Sequence, residues 1–170
     1  RTVKRCAYLT LENPAGFFIY DTLTYGPLAQ LGWSVESIPW NCPGVRWDDY
    51  DLVVIRSAWD YQHHVARFLN VLETIDRSTA RLENPLPIVR WNLDKTYLRD
   101  LEKKGVCIVP TRWLRGLEHG HITAICREYA AAEAVVKPTV GANADDTFRL
   151  PADTSPAGLR QALRVFRDRA

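Results

Sequence analysis

The sequence predicts an α/β fold, in which a small, mainly parallel sheet flanked by helices precedes a second α+β part. Three observations predict it. Residues 52–55 (LVVI) are an uninterrupted apolar run, the pattern of a strand covered on both faces. Val65, Phe68, Leu69, Leu72 and Ile75 then recur at helical spacing. Pro85 and Pro87 break the pattern and separate two such α/β stretches.

Taken in order, residues 5–11 (RCAYLTL) read as a first buried strand. Residues 17–31 carry a helical stripe of Tyr20, Leu23, Leu28 and Leu31, which Pro27 should kink or split. Gly32 stands where a left-handed C-cap belongs. Residues 34–40 form a second strand with Val35 and Ile38 alternating, and the turn NCPG follows at 41–44. With the strand at 52–55 and the helix after it, the order is β-α-β-β-α, which suits a doubly wound sheet. Residues 84–91 read as a connector, so domains are expected at 1–84 and 85–170.

In the second part, Asn92 is expected to cap a helix over residues 93–104, ended by Gly105. Residues 107–109 form a short strand and residues 121–132 a helix. A strand at 134–137 enters the loop TVGANADD and returns at 147–150. Ser155 and Pro156 give the cap and first-turn signature of a last helix, with Leu159, Ala162, Leu163 and Phe166 inward.

The 170 residues are 46% hydrophobic and 25% charged, the composition of a globular chain with a core. A net charge of +2 with scattered arginines gives no footprint for nucleic acid. Arg160, Arg164, Arg167 and Arg169 gather at the end as the solvated, cationic end of the last helix. No apolar run has the length of a membrane span, which is roughly 20 residues. Cys6, Cys42, Cys107 and Cys126 lack zinc-like spacing and are expected to be reduced and packed, with a cytoplasmic location as default. The chain opens without an initiator Met, as a segment of a longer protein would.

Two lysines stand in special contexts. Lys95 lies in the first turn of its expected helix, and Lys137 ends an apolar strand just before Pro138. A lysine there must reach solvent or meet an anion. The Gly, Ala and Asn residues that follow can bring backbone N–H groups close to phosphate oxygens. On spacing alone the signal is weak, and a surface lysine beside an ordinary hairpin loop is the simpler reading.

The run NPLPIVRWNLDKTYLRDLEKKGVCIVPT, followed some way on by VVKPTVGANADDTFRL, resembles the ATP-grasp superfamily, within it the glutathione-synthetase-like group. The earlier run DYDLVVIRSAWDY looks like that group's N-terminal, pre-ATP-grasp domain. The resemblance implies that Lys95 and Lys137 are nucleotide-binding lysines, and that Gly141, Ala142, Asn143 and Ala144 form the mobile phosphate loop. Thr147 and Arg149 follow on the returning strand. ATP and Mg2+ are the implied cofactors, with the family's adenine segment, Mg2+ ligands and late catalytic arginine expected beyond this chain. Asp145 and Asp146 read as solvated loop carboxylates rather than a substitute metal pair.

On the substrate side, ligands of open α/β sheets sit at the carboxyl ends of strands. That singles out the loop at 12–16, with Asn13, and the loop at 56–61, with Arg56 and Asp60. Arg56 offers a planar fork to a substrate carboxylate and Asp60 an acceptor to an amine; an internal Arg56–Asp60 bond is the competing structural reading. Trp59 and Tyr61 read as packing residues, and His63 and His64 as exposed at a helix start. His119 and His121 make an HxH pattern with no close carboxylate or cysteine partner.

The expectation is the N-terminal part of an ATP-dependent ligase joining a small carboxylate to an amine or related nucleophile through an acyl-phosphate. Its partners would be the acid and ATP, neither nucleic acid nor membrane, with a homodimer allowed. By itself this part should be inactive. The rival is a non-catalytic binding module for a small acid or nucleotide, with a vestigial ATP-grasp half.

Overall fold

The computed structural model describes residues 3–118 and 120–167; His119 and Arg169, both singled out above, lie outside the described residues. Two compact units follow one another, Arg1–Leu93 and Asp94–Ala170.

The first unit is an α/β layer structure around a four-stranded parallel sheet in the order β2-β1-β3-β4. The strands are β1 (Lys4–Thr10), β2 (Trp33–Pro39), β3 (Leu52–Ser57) and β4 (Arg81–Glu83). β1 lies inside the sheet, and Cys6–Thr10 are all buried, so the continuous apolar run is a strand covered on both faces. Ala7 and Leu9 join Val53, Phe68, Leu72 and Ile75 in the main core, where α2 (Val65–Asp76) and α3 (Leu86–Asn92) also contribute. Tyr8 points the other way, toward Thr24 and Tyr25 of the 3-10 turn Asp21–Thr24 and helix α1 (Tyr25–Gln30).

The second unit pairs β5 (Glu133–Val136) with β6 (Phe148–Pro151) as an antiparallel ribbon. Ala134, Val136, Phe148 and Leu150 share one face, as opposite pairs in the register must. That face belongs to a core with Ile122 and Cys126 of α5 (His121–Glu128) and Leu159 and Ala162 of α6 (Pro156–Arg167). Ser155 caps α6 as expected, its Oγ accepting from the Gly158 amide at 3.2 Å. Helix α4 (Tyr97–Lys103) completes the unit, with Gly105 left-handed after it.

Several expectations are corrected. Residues 17–31 are not one helix: they hold a loop, the 3-10 turn and α1, and Tyr20, Leu23 and Leu31 are exposed. Gly32 is nevertheless left-handed at φ +85°, as its C-cap position requires. The connector at 84–91 contains α3, which Pro85 and Pro87 permit because they fall at its start, where prolines need donate no helical bond. Asn92 is the last residue of α3 rather than a cap, and Lys95 lies in the turn before α4. β4 had no separate signal, and residues 107–109 are irregular, with Val109 exposed. Cys6 and Cys126 are buried, whereas Cys42 and Cys107 are exposed rather than packed; all four thiols are free. Among the described residues no helix is long and apolar enough to cross a membrane.

Candidate functional site

Each unit gathers part of the residues singled out by sequence. In the first, β1 connects to β2 on one side, and the chain then crosses to β3 on the other. The carboxyl ends of β1 and β3 therefore flank a topological switch point, where ligands of open α/β sheets bind. Asn13 and Glu12 follow β1; Arg56, Ser57 and Asp60 end or follow β3.

Arg56 owes its aim to an irregularity. Leu9 pairs with Ile55 but Thr10 pairs with Ser57, so Arg56 is the extra residue of a β-bulge. Bulges bend a strand and redirect a side chain. Arg56 passes over the Tyr8 ring and meets Asp21 rather than Asp60. Nε and Nη2 of Arg56 donate to Oδ1 of Asp21 at 3.0 and 2.8 Å, and Ser57 Oγ donates to Oδ2 at 2.9 Å. The Asp21 side chain is 5% exposed and that of Arg56 42%. Asp21 was not anticipated as a site residue, although it is the only charged residue between Glu12 and Glu36.

Asp60 ties three loops together. Its carboxylate accepts the Glu12 amide at 3.1 Å and the indole N–H of buried Trp40 at 2.6 Å. Asn41 donates to Glu12 at 2.8 Å, closing the tie between the β1 and β2 ends. Asn13 folds back locally, its Oδ1 accepting from Ala15 N–H at 3.0 Å. Tyr61 packs against Phe68, and Trp59 against Phe17 across the two loops at 5.6 Å between centroids. His63 and His64 are exposed.

In the second unit, the face of the ribbon opposite the helices carries Glu133 and Val135, with Arg149 across from Val135; the alternation continues to Lys137. Val135 is 52% exposed there, and Lys137 and Arg149 are exposed as well. Arg149 binds Glu133 through both Nε and Nη2. Lys95 is fastened to the following loop: its amide donates to Thr139 O at 2.9 Å, and its ammonium to Thr139 O at 3.3 Å and Gly141 O at 3.0 Å. Thr139 Oγ1 in turn donates to Asp94 at 3.0 Å. A side chain at Gly141 would place Cβ 3.0 Å from Pro138 Cγ, a tight contact that Pro138 would have to yield to, and 3.8 Å from the Lys95 ammonium.

Burial lowers the Lys95 pKa, the charge of Lys137 lowers it further, and Asp94 partly restores it. Burial would raise Asp94, but hydrogen bonds from Thr96 and Thr139 and the Lys95 charge outweigh it and hold the carboxyl low. The charge of Lys137 thus reaches Lys95, while the carbonyls of the loop use part of the donor capacity of Lys95. Beyond Gly141, Ala142 O accepts the Asp145 amide and Ala144 O the Thr147 amide. Ala144 is left-handed, which costs about 1–2 kcal/mol for an ordinary residue with a Cβ, and so are Asn143 and Asp146, residue types that tolerate that region. His121 accepts the Glu118 amide on Nδ1, and among the described residues no three His, Cys, Asp or Glu side chains gather to hold a metal.

Residues 6–84 match the family described as D-cycloserine synthetase DcsG, N-terminal domain. The chain is similar to DcsG. The cycloserine biosynthesis protein DcsG of Streptomyces lavendulae is 34% identical over 141 residues, covering 80% of this chain and 46% of that protein. The crystal structure of D-cycloserine synthetase DcsG superposes with a TM-score of 0.74 at 30% identity, over 97% of this chain and 56% of that one. The chain therefore spans about half the length of these relatives. The macrocyclase MdnC of Microcystis aeruginosa MRC, solved with precursor peptide MdnA, aligns at TM-score 0.51 and 12% identity, over 93% of this chain and 61% of that chain, a likeness of fold alone.

Proposed function

We propose that this chain is the N-terminal part of an ATP-grasp ligase of the DcsG kind, which activates a small carboxylate as an acyl-phosphate for attack by an amine or related nucleophile. The observation that carries the reading is the bonding of the Lys95 ammonium to the Thr139 and Gly141 carbonyls of the loop that follows Lys137, whose charge acts on Lys95. Two mutually repelling ammonium groups beside a strained amide-rich loop are an electrostatic arrangement that an anion relieves. The polyphosphate of ATP has that charge. Lys95 and Lys137 would neutralise phosphate oxygens, and the loop with Asn143 and Thr147 would cover them and exclude water from a hydrolysable acyl-phosphate. Arg149 would hold the returning strand through Glu133. Bound Mg2+ would supply charge neutralisation between phosphates; among the described residues no three His, Cys, Asp or Glu side chains gather to hold it. The first unit would hold the acid at the β1–β3 switch point. The similarity to a D-cycloserine synthetase favours a small amino-acid-like acid.

The test is phosphate release from ATP by the full-length protein across a panel of small amino acids. Release that depends on one of them supports the reading. ATP bound without acid-dependent turnover in any member would favour the binding-module alternative.

A further inference from the structure

Asp21 occupies one edge of the Arg56 guanidinium and leaves another edge free. Of five N–H donors, the Nε–H and one Nη2–H go to Oδ1 of Asp21. The remaining Nη2–H and both Nη1–H point away from that carboxylate, as the planar fork dictates. The guanidinium is part-exposed at the carboxyl end of β3, whereas the Asp21 carboxylate is buried and pinned from its other oxygen by Ser57. The bulge at Arg56 aims the side chain, and the Tyr8 ring lies beneath its guanidinium.

We propose that Asp21 is a positioning residue that holds Arg56 side-on, so that the Nη1–Nη2 edge forms a preset bidentate receptor for the carboxylate of a small acid at the β1–β3 switch point. The inference rests on the proposed ligase reading for its biological meaning and assigns the specificity for a carboxylate to a two-residue device. An arginine with all its edges free samples many rotamers, and one with both edges occupied binds nothing further. Here one edge is occupied by a buried anion that cannot follow the ligand out. Because the Asp21 charge offsets that of Arg56, discrimination comes from paired N–H geometry more than from net charge. A neutral amide presents one acceptor and two donors to the same edge and is rejected. Lysine at position 56 keeps the charge but loses the fork.

The experiment uses the full-length protein with 15N-labelled arginine, followed by NMR, with acetate as the carboxylate probe and acetamide and chloride as controls at equal ionic strength. In the wild type, the Arg56 Nε–H signal exchanges slowly and stays put, while the Nη signals move with acetate and not with the controls. Asp21→Asn loses the slow Nε–H and weakens the acetate response about tenfold, the size expected for one charged hydrogen-bonded contact. In uniformly 15N-labelled protein, acetate also moves backbone amides around residues 56–61 of the wild type; Arg56→Lys, which leaves the Asp21–Ser57 bond available, loses those amide shifts while the other amides of the unit stay in place. If the ligase is active, Asp21→Asn raises KM for the acid while kcat and KM for ATP change little. An Nε–H that moves with acetate, an equal response to chloride, or no response of Arg56 overturns the proposal. Phosphate release with a silent Arg56 would leave the ligase reading standing and remove this one. An acetate response without any turnover would do the reverse.

Discussion

The ammonium of Lys95 donates to the carbonyl of Gly141 at 3.0 Å, across 46 positions of sequence, and so fastens the loop after β5 to the turn before α4. The same ammonium is repelled by Lys137. One side chain thereby couples loop position to local charge.

The first prediction concerns that fastening. Lys95→Met removes both ammonium bonds to the loop but leaves the Lys95 amide bond to Thr139. Amides of residues 141–147 should then exchange faster by about tenfold, equivalent to one lost charge-assisted bond, while those of β3 stay slow. Hydrogen exchange with peptide resolution reads this directly. Equal exchange in the loop of both proteins would show that the ammonium bonds hold nothing.

A second prediction concerns pH. The Lys95 pKa lies below the ordinary lysine value of 10.5 in the folded chain, because burial and Lys137 disfavour its charge. Between the lowered pKa and 10.5 the unfolded chain holds a proton that the folded chain has released. Stability from this group therefore rises with pH through that window, and below it the charged Lys95 opposes folding. An anion beside both lysines reverses the sign by favouring the charged form. NMR titration of Lys95 should show a low pKa that moves up when inorganic triphosphate is added; an unmoved pKa would argue against an anion site.

How much of this was legible in the sequence differs by element. β3 and α2 were, because β-branched runs and 3.6-residue periodicity are local signals, and so were the Gly32 and Ser155 caps. The stripe at 20–31 misled, since helical spacing does not say whether a face is covered: Tyr20, Leu23 and Leu31 are exposed. β4, only three residues long, is a strand because β3 lies beside it. Lys95 and Lys137 were picked out by context, whereas the Arg56–Asp21 pair depends on a bulge and on a chain separation of 35, which no local pattern encodes. Asp60 is expected either to meet a substrate amine or to bond Arg56, and its oxygens accept from Glu12 and Trp40 instead.

A third prediction follows from Asp60. Asp60→Ala leaves the Trp40 indole N–H, in a ring 1% exposed, and the Glu12 amide without their acceptor. The cost should be about 1–3 kcal/mol, seen as a lower denaturation midpoint of the first unit. Asp60→Asn, which keeps one acceptor oxygen, should recover part of it. If both variants match wild type in denaturant, the three-loop tie is not a stabilising element.

Cysteine labelling gives a fourth. Burial pushes the Cys6 thiol up to about 11, and Cys126 is also buried, while Cys42 and Cys107 are exposed. A thiol reagent at mild alkaline pH should modify Cys42 and Cys107 quickly and Cys6 and Cys126 only on unfolding. Mass spectrometry of the labelled peptides checks the assignment, and early modification of Cys6 would contradict the burial of β1.

We infer that Lys95 and Lys137 together hold the phosphates of a nucleotide, which calorimetric titration of ATP into the full-length protein measures. Wild type, Lys95→Met, Lys137→Ala and, as a charge control, Lys104→Ala are compared at one salt concentration. Each site variant should weaken binding by about 2–5 kcal/mol, the cost of losing one partner of a desolvated charge pair, while Lys104→Ala binds as wild type does. Equal ATP affinity in all four proteins would contradict the account.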